Sequence, residues 1–278
     1  MIQKTKFLFK VIGDIQEINK KLSAEIESAG KEDNLFYVKL KNGKCFFSNE
    51  VKGYQKKLYF LFSKEIKQKV PIECLNVLFD INYRYLSPTD SIKALEDDKF
   101  VDLKEGQTVF EIGCYIGLQA IRMSELVGDK GLIVAVEAIP KNFEILKKNI
   151  EKNEITNIKI FNLAIWKEKG TIDFTLDEKQ KNSAIETIVN NKKKMTLPCN
   201  TLDNIFDELQ LKKLDFCRIQ VNGAEVEVME GMTKLLKSTP TVMVTAPYTN
   251  IVVIQKKLET IGYNTQVYGQ SVLAKKDI

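Results

Sequence analysis

The chain has 278 residues, 44% hydrophobic and 28% charged, with a formal net charge of +5 and no histidine. The apolar content suffices for a packed core and excludes a largely disordered chain. The charge is too mild and too scattered for a nucleic-acid surface: the longest lysine run, Lys192–Lys194, has no interleaved aromatic residues.

Lacking histidine, the chain has no Ser–His or Cys–His nucleophile pair and no imidazole for a transition metal, so proton transfer falls to Asp, Glu, Lys, Tyr or water. Cys45, Cys74, Cys114, Cys199 and Cys217 form no CxxC pair, and neither a disulfide framework nor a zinc site is expected. Val11, Ile15, Ile18, Leu22, Ile26 and Ala29 recur at helical spacing, which predicts an amphipathic helix stopped by Gly30. Its stripe either packs on the parent domain or joins two copies as a homodimer. Leu35–Leu40 and Lys44–Ser48 flank Lys41–Asn42–Gly43, and Asn–Gly between short β-rich runs signals a hairpin. Leu58–Phe62 reads as a further strand. Residues 70–100, with Pro71, Pro88 and the acidic Glu96–Asp98, read as a connector holding a short helix. Residues 1–100 thus form an N-terminal extension of helix, hairpin and connector, and residues 101–278 the main domain. There is no secretory signal and no run of about 18 apolar residues, so no transmembrane segment is expected and a cytoplasmic location is.

From Thr108 the rhythm becomes strand–helix–strand. Thr108–Ile112 predicts a buried strand, followed by a helix carrying Ala120, Met123 and Val127 and ended by Gly128. Leu132–Val136 is the second strand. Pro140 starts a helix with Phe143, Leu146 and Ile150 on one face. Ile158–Ala164 is the third strand. Thr171–Leu176 and Lys194–Cys199 read as β-rich excursions, and Leu202–Leu209 as a short helix. Leu214–Val221 is the fourth strand, Gly223–Leu236 a helix and Thr241–Ala246 the fifth strand. Ile251–Ile261 is a helix, and Tyr263–Tyr268 with Ser271–Ala274 a terminal antiparallel pair. Such alternation implies an α/β fold, a mostly parallel sheet with helices on both faces.

Glu111–Tyr115 and Glu137 fall at the C-terminal ends of the first two strands, where such sheets bind ligands. Glycines allow close backbone approach, and an acid about 20 residues past the turn suits ribose hydroxyls, which places Glu137 there. The turn reads Gly113–Cys114–Tyr115–Ile116–Gly117, without the further glycine that a pyrophosphate needs. Glu111, ahead of the first glycine, repels phosphate but suits an ammonium. An amino-acid end, a ribose and no phosphate describe S-adenosylmethionine better than NAD.

From Val109 to about Ala246, half of the chain resembles the FkbM family of S-adenosylmethionine-dependent methyltransferases. The resemblance rests on Val109–Gly117, Ala135–Asn153, Asn162–Trp166 with Gly170, the triplet Thr201–Leu202–Asp203, and Arg218–Met232. It implies a Rossmann-like class I methyltransferase fold with a seven-stranded sheet, and S-adenosylmethionine as cofactor. It places Gly113, Cys114 and Tyr115 around the methionine portion, Glu137 and Ala138 at the ribose, and Ala164 and Ile165 near the adenine. It implies O-methylation of a hydroxyl on a sugar, glycan or small natural product.

Where the family pattern resembles Lys–Ile–Asp–Val–Glu–Gly–Ala–Glu, this chain has Arg218–Ile–Gln–Val–Asn–Gly–Ala–Glu225, with amides at Gln220 and Asn222. A hydroxyl acceptor must lose a proton, and amides are poor bases. Glu225 is the remaining candidate base, or else stabilises the helix it begins. Asp203 is a second candidate, or caps the helix that follows it. Two readings stay open: an active methyltransferase with an altered acceptor centre, and a non-catalytic relative acting as a binding or scaffold subunit.

Overall fold

Near-continuous apolar runs such as Val109–Ile112 and Ile133–Val136 fit strands covered on both faces, and they lie at the centre of the molecule. The computed structural model describes residues 19, 22–49, 59–81, 101–176, 193–221 and 223–277. Three strands open the chain as an antiparallel sheet: β1 (Ile26–Glu32), β2 (Leu35–Leu40) and β3 (Cys45–Ser48). Two short helices follow, α1 (Lys64–Lys69) and α2 (Leu75–Asp80).

The main domain begins with β4 (Thr108–Ile112), α3 (Leu118–Val127), β5 (Leu132–Val136), α4 (Pro140–Lys152) and β6 (Ile158–Phe161). Next come β7 (Ala164–Ile165), β8 (Gly170–Leu176), β9 (Lys193–Asn200), α5 (Leu202–Glu208) and β10 (Phe216–Ile219). The chain ends through α6 (Glu225–Glu230), α7 (Leu235–Ser238), β11 (Thr241–Thr245), α8 (Tyr248–Thr260), β12 (Asn264–Tyr268) and β13 (Ser271–Lys275). The seven-stranded sheet has the order β12-β13-β11-β10-β4-β5-β6, and β7-β9-β8 form a small third sheet. From β11 to β6 every neighbour is parallel; β13 alone runs antiparallel to both of its neighbours.

Strand alternation sorts the core into two layers. Val109, Ile133, Ala135, Phe216 and Met243 face α3, α4 and the N-terminal sheet in one apolar cluster. Phe110, Val134, Cys217, Val242 and Val244 face α5–α8 in the other. This is the expected Rossmann-like α/β architecture with helices on both faces. Among the described residues, no helix is long and apolar enough to cross a membrane.

Four expectations change. The helical stripe does not continue to Ala29: residues 22–25 are helical, but Ile26–Glu32 pairs with β2 around a turn whose Asp33 takes φ +54. Pairing of six register partners outweighs helical periodicity there, and Gly30 lies within a strand opposite Tyr37. Residues 11–18 lie outside the described set. Instead of a strand, residues 59–61 make a 3-10 turn leading into α1, whose first turn Ser63 caps through Ile66 N–H. The third strand divides, so that Ala164–Ile165 leaves the main sheet and pairs with β9. The helix over 223–236 divides into α6 and α7; Gly231, where α6 ends, lies against the Trp166 carbonyl, which stands 2.2 Å from where a Cβ would be. The Asn42–Gly43 hairpin joins β2 to β3 as its sequence predicts, with Gly43 at φ +88.

Candidate active site

The sheet order reverses between β4 and β10, since the chain runs outward from β4 to β6 before returning to β4's other side. The 113–117 turn lies at that reversal. Gly113 and Cys114 donate their N–H groups to the Val136 carbonyl (2.9 and 3.1 Å), and the Gly117 N–H closes on the Cys114 carbonyl at 2.9 Å. Gly113 has φ +79, and a Cβ there would stand 2.0 Å from the Gln220 carbonyl oxygen. Only glycine lets the ends of β4 and β10 pass so closely. Gly117, at φ +83, heads α3, and a Cβ on it would meet Leu146 Cδ1 at 2.2 Å. Tyr115 takes φ +55 although it is not a glycine, which costs roughly 1–2 kcal/mol.

That strained backbone points the Tyr115 N–H at Glu137 Oε2, 2.9 Å away. Glu137 Oε1 accepts the Ile139 N–H (3.0 Å) and Asn142 Nδ2 (3.2 Å) at the start of α4. Glu137 is thus fixed in direction by three donors while it ends β5. Asn162 Nδ2 donates to the carbonyls of Glu137 (2.9 Å) and Ala138 (3.3 Å), which ties the exits of β5 and β6 together. Ala164 and Ile165 follow closely, buried and paired with Cys199 and Asn200.

Glu111 stands differently from the expectation of a group waiting for an ammonium. It is fully buried and forms an ion pair with Arg218, its register partner on β10, at 2.6 Å. Arg218 is 1% exposed and also donates Nη2 to Gln220 Oε1. A buried charge is tolerated only when paired, so Glu111 anchors the arginine beneath the turn. Burial first, then the Glu137 and Glu111 carboxylates, hold the Cys114 thiol well above its ordinary pKa. Cys114 is therefore a protonated lining group, not a nucleophile.

At the exit of β10, Gln220 continues the strand pairing, donating its N–H to Ile112 O at 2.9 Å. Asn222 lies outside the described residues. Glu225 is fully buried at the start of α6, and both of its oxygens accept the Gly223 N–H (2.9 and 3.0 Å). Asn250 Nδ2 adds a contact at 3.5 Å. Burial, the leading cause, raises the Glu225 pKa above the ordinary glutamate value despite these bonds. Asp203 is not the cap of α5; Thr201 is, through Asn204 N–H at 3.0 Å. Asp203 instead accepts the Lys234 and Leu235 N–H groups, both at 2.9 Å, and so caps α7.

The structure therefore brings Glu111, Gly113, Cys114, Tyr115, Gly117, Glu137 and Gln220 together at the C-terminal ends of β4, β5 and β10, while Asp203 belongs to a helix junction elsewhere. Sequence reasoning missed Arg218, Asn142 and Asn162. Arg218 left one signal, a charge inside the four-residue buried strand Phe216–Ile219, which demands a buried partner. Among the described residues, no group of three or more His, Cys, Asp or Glu could hold a metal ion.

The family model "Methyltransferase FkbM domain" matches residues 111–262. The chain is 42% identical over 60 residues to protein-L-isoaspartate O-methyltransferase 1 of Archaeoglobus fulgidus, covering 22% of this chain and 28% of that enzyme. It is 45% identical over 60 residues to the Thermotoga maritima protein-L-isoaspartate O-methyltransferase, covering 22% of this chain and 19% of the other. The chain thus spans well under a third of these relatives' length. A crystal structure of a methyltransferase FkbM from Methylobacillus flagellatus superposes with a TM-score of 0.50 at 11% identity, covering 73% of this chain and 54% of that one. At that identity the likeness concerns the fold.

Proposed function

Because the chain belongs to the FkbM methyltransferase family, whose cofactor is S-adenosylmethionine, we propose that it methylates a hydroxyl oxygen of a sugar, glycan or small natural product. The observation that carries this reading is the hydrogen-bonded 113–117 turn at the C-terminal ends of β4 and β5, where the sheet order reverses. Gly113 packs against the Gln220 carbonyl, Glu137 stands aligned at the β5 exit, and the 113–117 turn lacks the further glycine that a pyrophosphate needs. These residues fit S-adenosylmethionine: Gly113, Cys114, Tyr115 and Gly117 would surround its methionine portion, Glu137 and Ala138 its ribose, and Ala164 and Ile165 its adenine. Glu111 would act through Arg218, holding the turn's floor. When bound, S-adenosylmethionine supplies an electrophilic methyl carbon on a sulfonium.

The chain's own work is alignment and removal of one proton. Alignment of two reactants in a fixed site supplies much of the rate. We assign the proton to Glu225 Oε, whose burial raises its affinity for protons, with Gln220 and Asn222 orienting the acceptor hydroxyl through hydrogen bonds. The Gly223 N–H occupies one lone pair on each Glu225 oxygen, which leaves others to accept a proton from substrate.

Calorimetric titration with S-adenosylmethionine, followed by labelled-methyl transfer to hydroxyl-bearing acceptors, tests the reading. Micromolar binding and label on oxygen are expected; folded protein that binds no cofactor overturns it. Glu225→Gln should lower kcat by at least about 100-fold with unchanged cofactor affinity, as for loss of a general base. Unchanged turnover in that variant removes Glu225 from the mechanism. The clamp of Glu225 on Gly223 favours a second reading, a cofactor-binding relative without turnover. Restoring acids by Gln220→Asp and Asn222→Glu should then create activity that the natural chain lacks.

A further inference from the structure

Strand β3 is the outer strand of the N-terminal sheet, and its unpaired edge faces helix α4 rather than another strand. Two asparagines, Asn149 on that helix and Asn153 at its C-cap, take the place of the missing strand. The Phe47 N–H donates to Asn149 Oδ1 (2.7 Å), and Asn149 Nδ2 returns a bond to the Phe47 carbonyl (3.2 Å). One helical turn on, the Cys45 N–H donates to Asn153 Oδ1 (2.9 Å) and Asn153 Nδ2 donates to the Cys45 carbonyl (2.8 Å). The match is geometric. Four residues of helix rise about 6 Å, close to the roughly 6.7 Å between alternate residues of a strand. Side-chain amides at i and i+4 therefore meet the outward backbone groups at j and j−2, the helix running antiparallel to the strand.

The two asparagines differ in one respect. Asn153 Nδ2 spends its second contact within its own helix, on the Asn149 carbonyl (2.7 Å). Asn149, fully buried, sends Nδ2 to the Ile116 carbonyl at 2.8 Å, inside the 113–117 turn. Leu146, one turn earlier on α4, fills the space against Gly117. The start of the same helix holds Glu137 through Ile139 and Asn142. One helix thus grips both ends of the proposed cofactor cradle and the edge of the N-terminal sheet.

We propose that Asn149 is a positioning residue that couples the N-terminal sheet to the cofactor turn. Its amide fixes the Ile116 carbonyl, and with it the backbone on which Tyr115 and Gly117 hold their left-handed conformations. Coupling free energies are reciprocal: the anchored sheet tightens cofactor binding, and bound cofactor tightens the sheet. This inference rests on the reading of these strand ends as an S-adenosylmethionine site.

The test compares Asn149→Ala with Asn153→Ala in the full chain, titrated calorimetrically with S-adenosylmethionine at a temperature where each variant is folded. Both lose a pair of bonds to β3, but only Asn149→Ala loses the turn. Asn149→Ala should bind roughly tenfold more weakly, the value of one well-made buried hydrogen bond, while Asn153→Ala stays within about twofold of wild type on the same scale. Equal binding by Asn149→Ala and wild type, or equal loss in both variants, overturns Asn149 as the positioning residue. A wild-type chain that binds no cofactor instead overturns the site reading. A second measurement needs no variant. Saturating cofactor should slow amide hydrogen exchange along the β2–β3 ladder of the wild-type protein, and unchanged exchange there overturns the proposal even if Asn149→Ala does not fold.

Discussion

At the scale of single residues, the buried Glu111–Arg218 pair stands out energetically. Removing one partner of such a pair strands the other charge, so Arg218→Ala should cost roughly 3–5 kcal/mol in a denaturant titration. Glu225 makes a different prediction, through pH. Its pKa in the folded state lies above the ordinary 4.5, so the folded chain holds that proton to higher pH than the unfolded chain does. The contribution of Glu225 to stability therefore falls as pH rises from 4.5 through the raised folded value, and is level below and above that window. Glu225→Gln should abolish this part of the pH slope, read as the difference between the two proteins' unfolding free energies across the window. Gly113, Gly117 and Glu137 were legible in the sequence because spacing alone announces a glycine turn and a strand-ending acid. The pairing of Glu111 was not, since it depends on strand register: Arg218 comes opposite Glu111 only once β10 lies beside β4.

At the scale of elements, local pattern succeeded wherever one element satisfied its own backbone. Helix α4 starts at Pro140, and α3 ends at Gly128, as their sequences predict. It failed where a distant partner decides. Ile26–Glu32 has a helical stripe but becomes a strand because β2 offers it a ladder, interrupted only by an irregularity between Ile26 and Ser28. At the break between α6 and α7 the Lys234 and Leu235 N–H groups find a partner about 30 residues away, a contact no local window contains. Asp203 bridges that break by capping α7 from the first turn of α5. Asp203→Ala should lower stability by about 1–2 kcal/mol, the ordinary worth of a cap, and leave S-adenosylmethionine affinity unchanged. A denaturant midpoint and a calorimetric Kd on the same preparation check both halves; a weakened Kd would draw Asp203 into the cofactor site.

At the scale of the whole molecule, the seven-stranded sheet provides the floor, and the proposed ligand residues lie at the ends of separate strands. A ligand that binds such a floor raises stability by about 2.7 kcal/mol at 100 times its Kd. For a chain of this size that corresponds to a rise in Tm of roughly 5–10 °C. S-adenosylmethionine should produce that shift in a thermal melt and NAD should not; the reverse result would reassign the site to a dinucleotide. The alternation of strands and helices made this architecture readable from the sequence, whereas the small sheet of β7, β8 and β9 was not, because its pairing joins distant residues, from Leu176 with Lys193 to Ala164 with Cys199. The distribution of thiols has one more consequence. Cys45 and Cys74 lie in the N-terminal part, Cys114 in the turn, Cys217 in the central sheet and Cys199 in the small sheet, all free and all buried. Burial holds Cys74 up at about 11 and raises the other four as well. Each region thus carries its own silent chemical clock, started only when that region opens. Alkylation followed by mass spectrometry should time those openings separately, and added S-adenosylmethionine should stop the clock at Cys114 before it slows the one at Cys199.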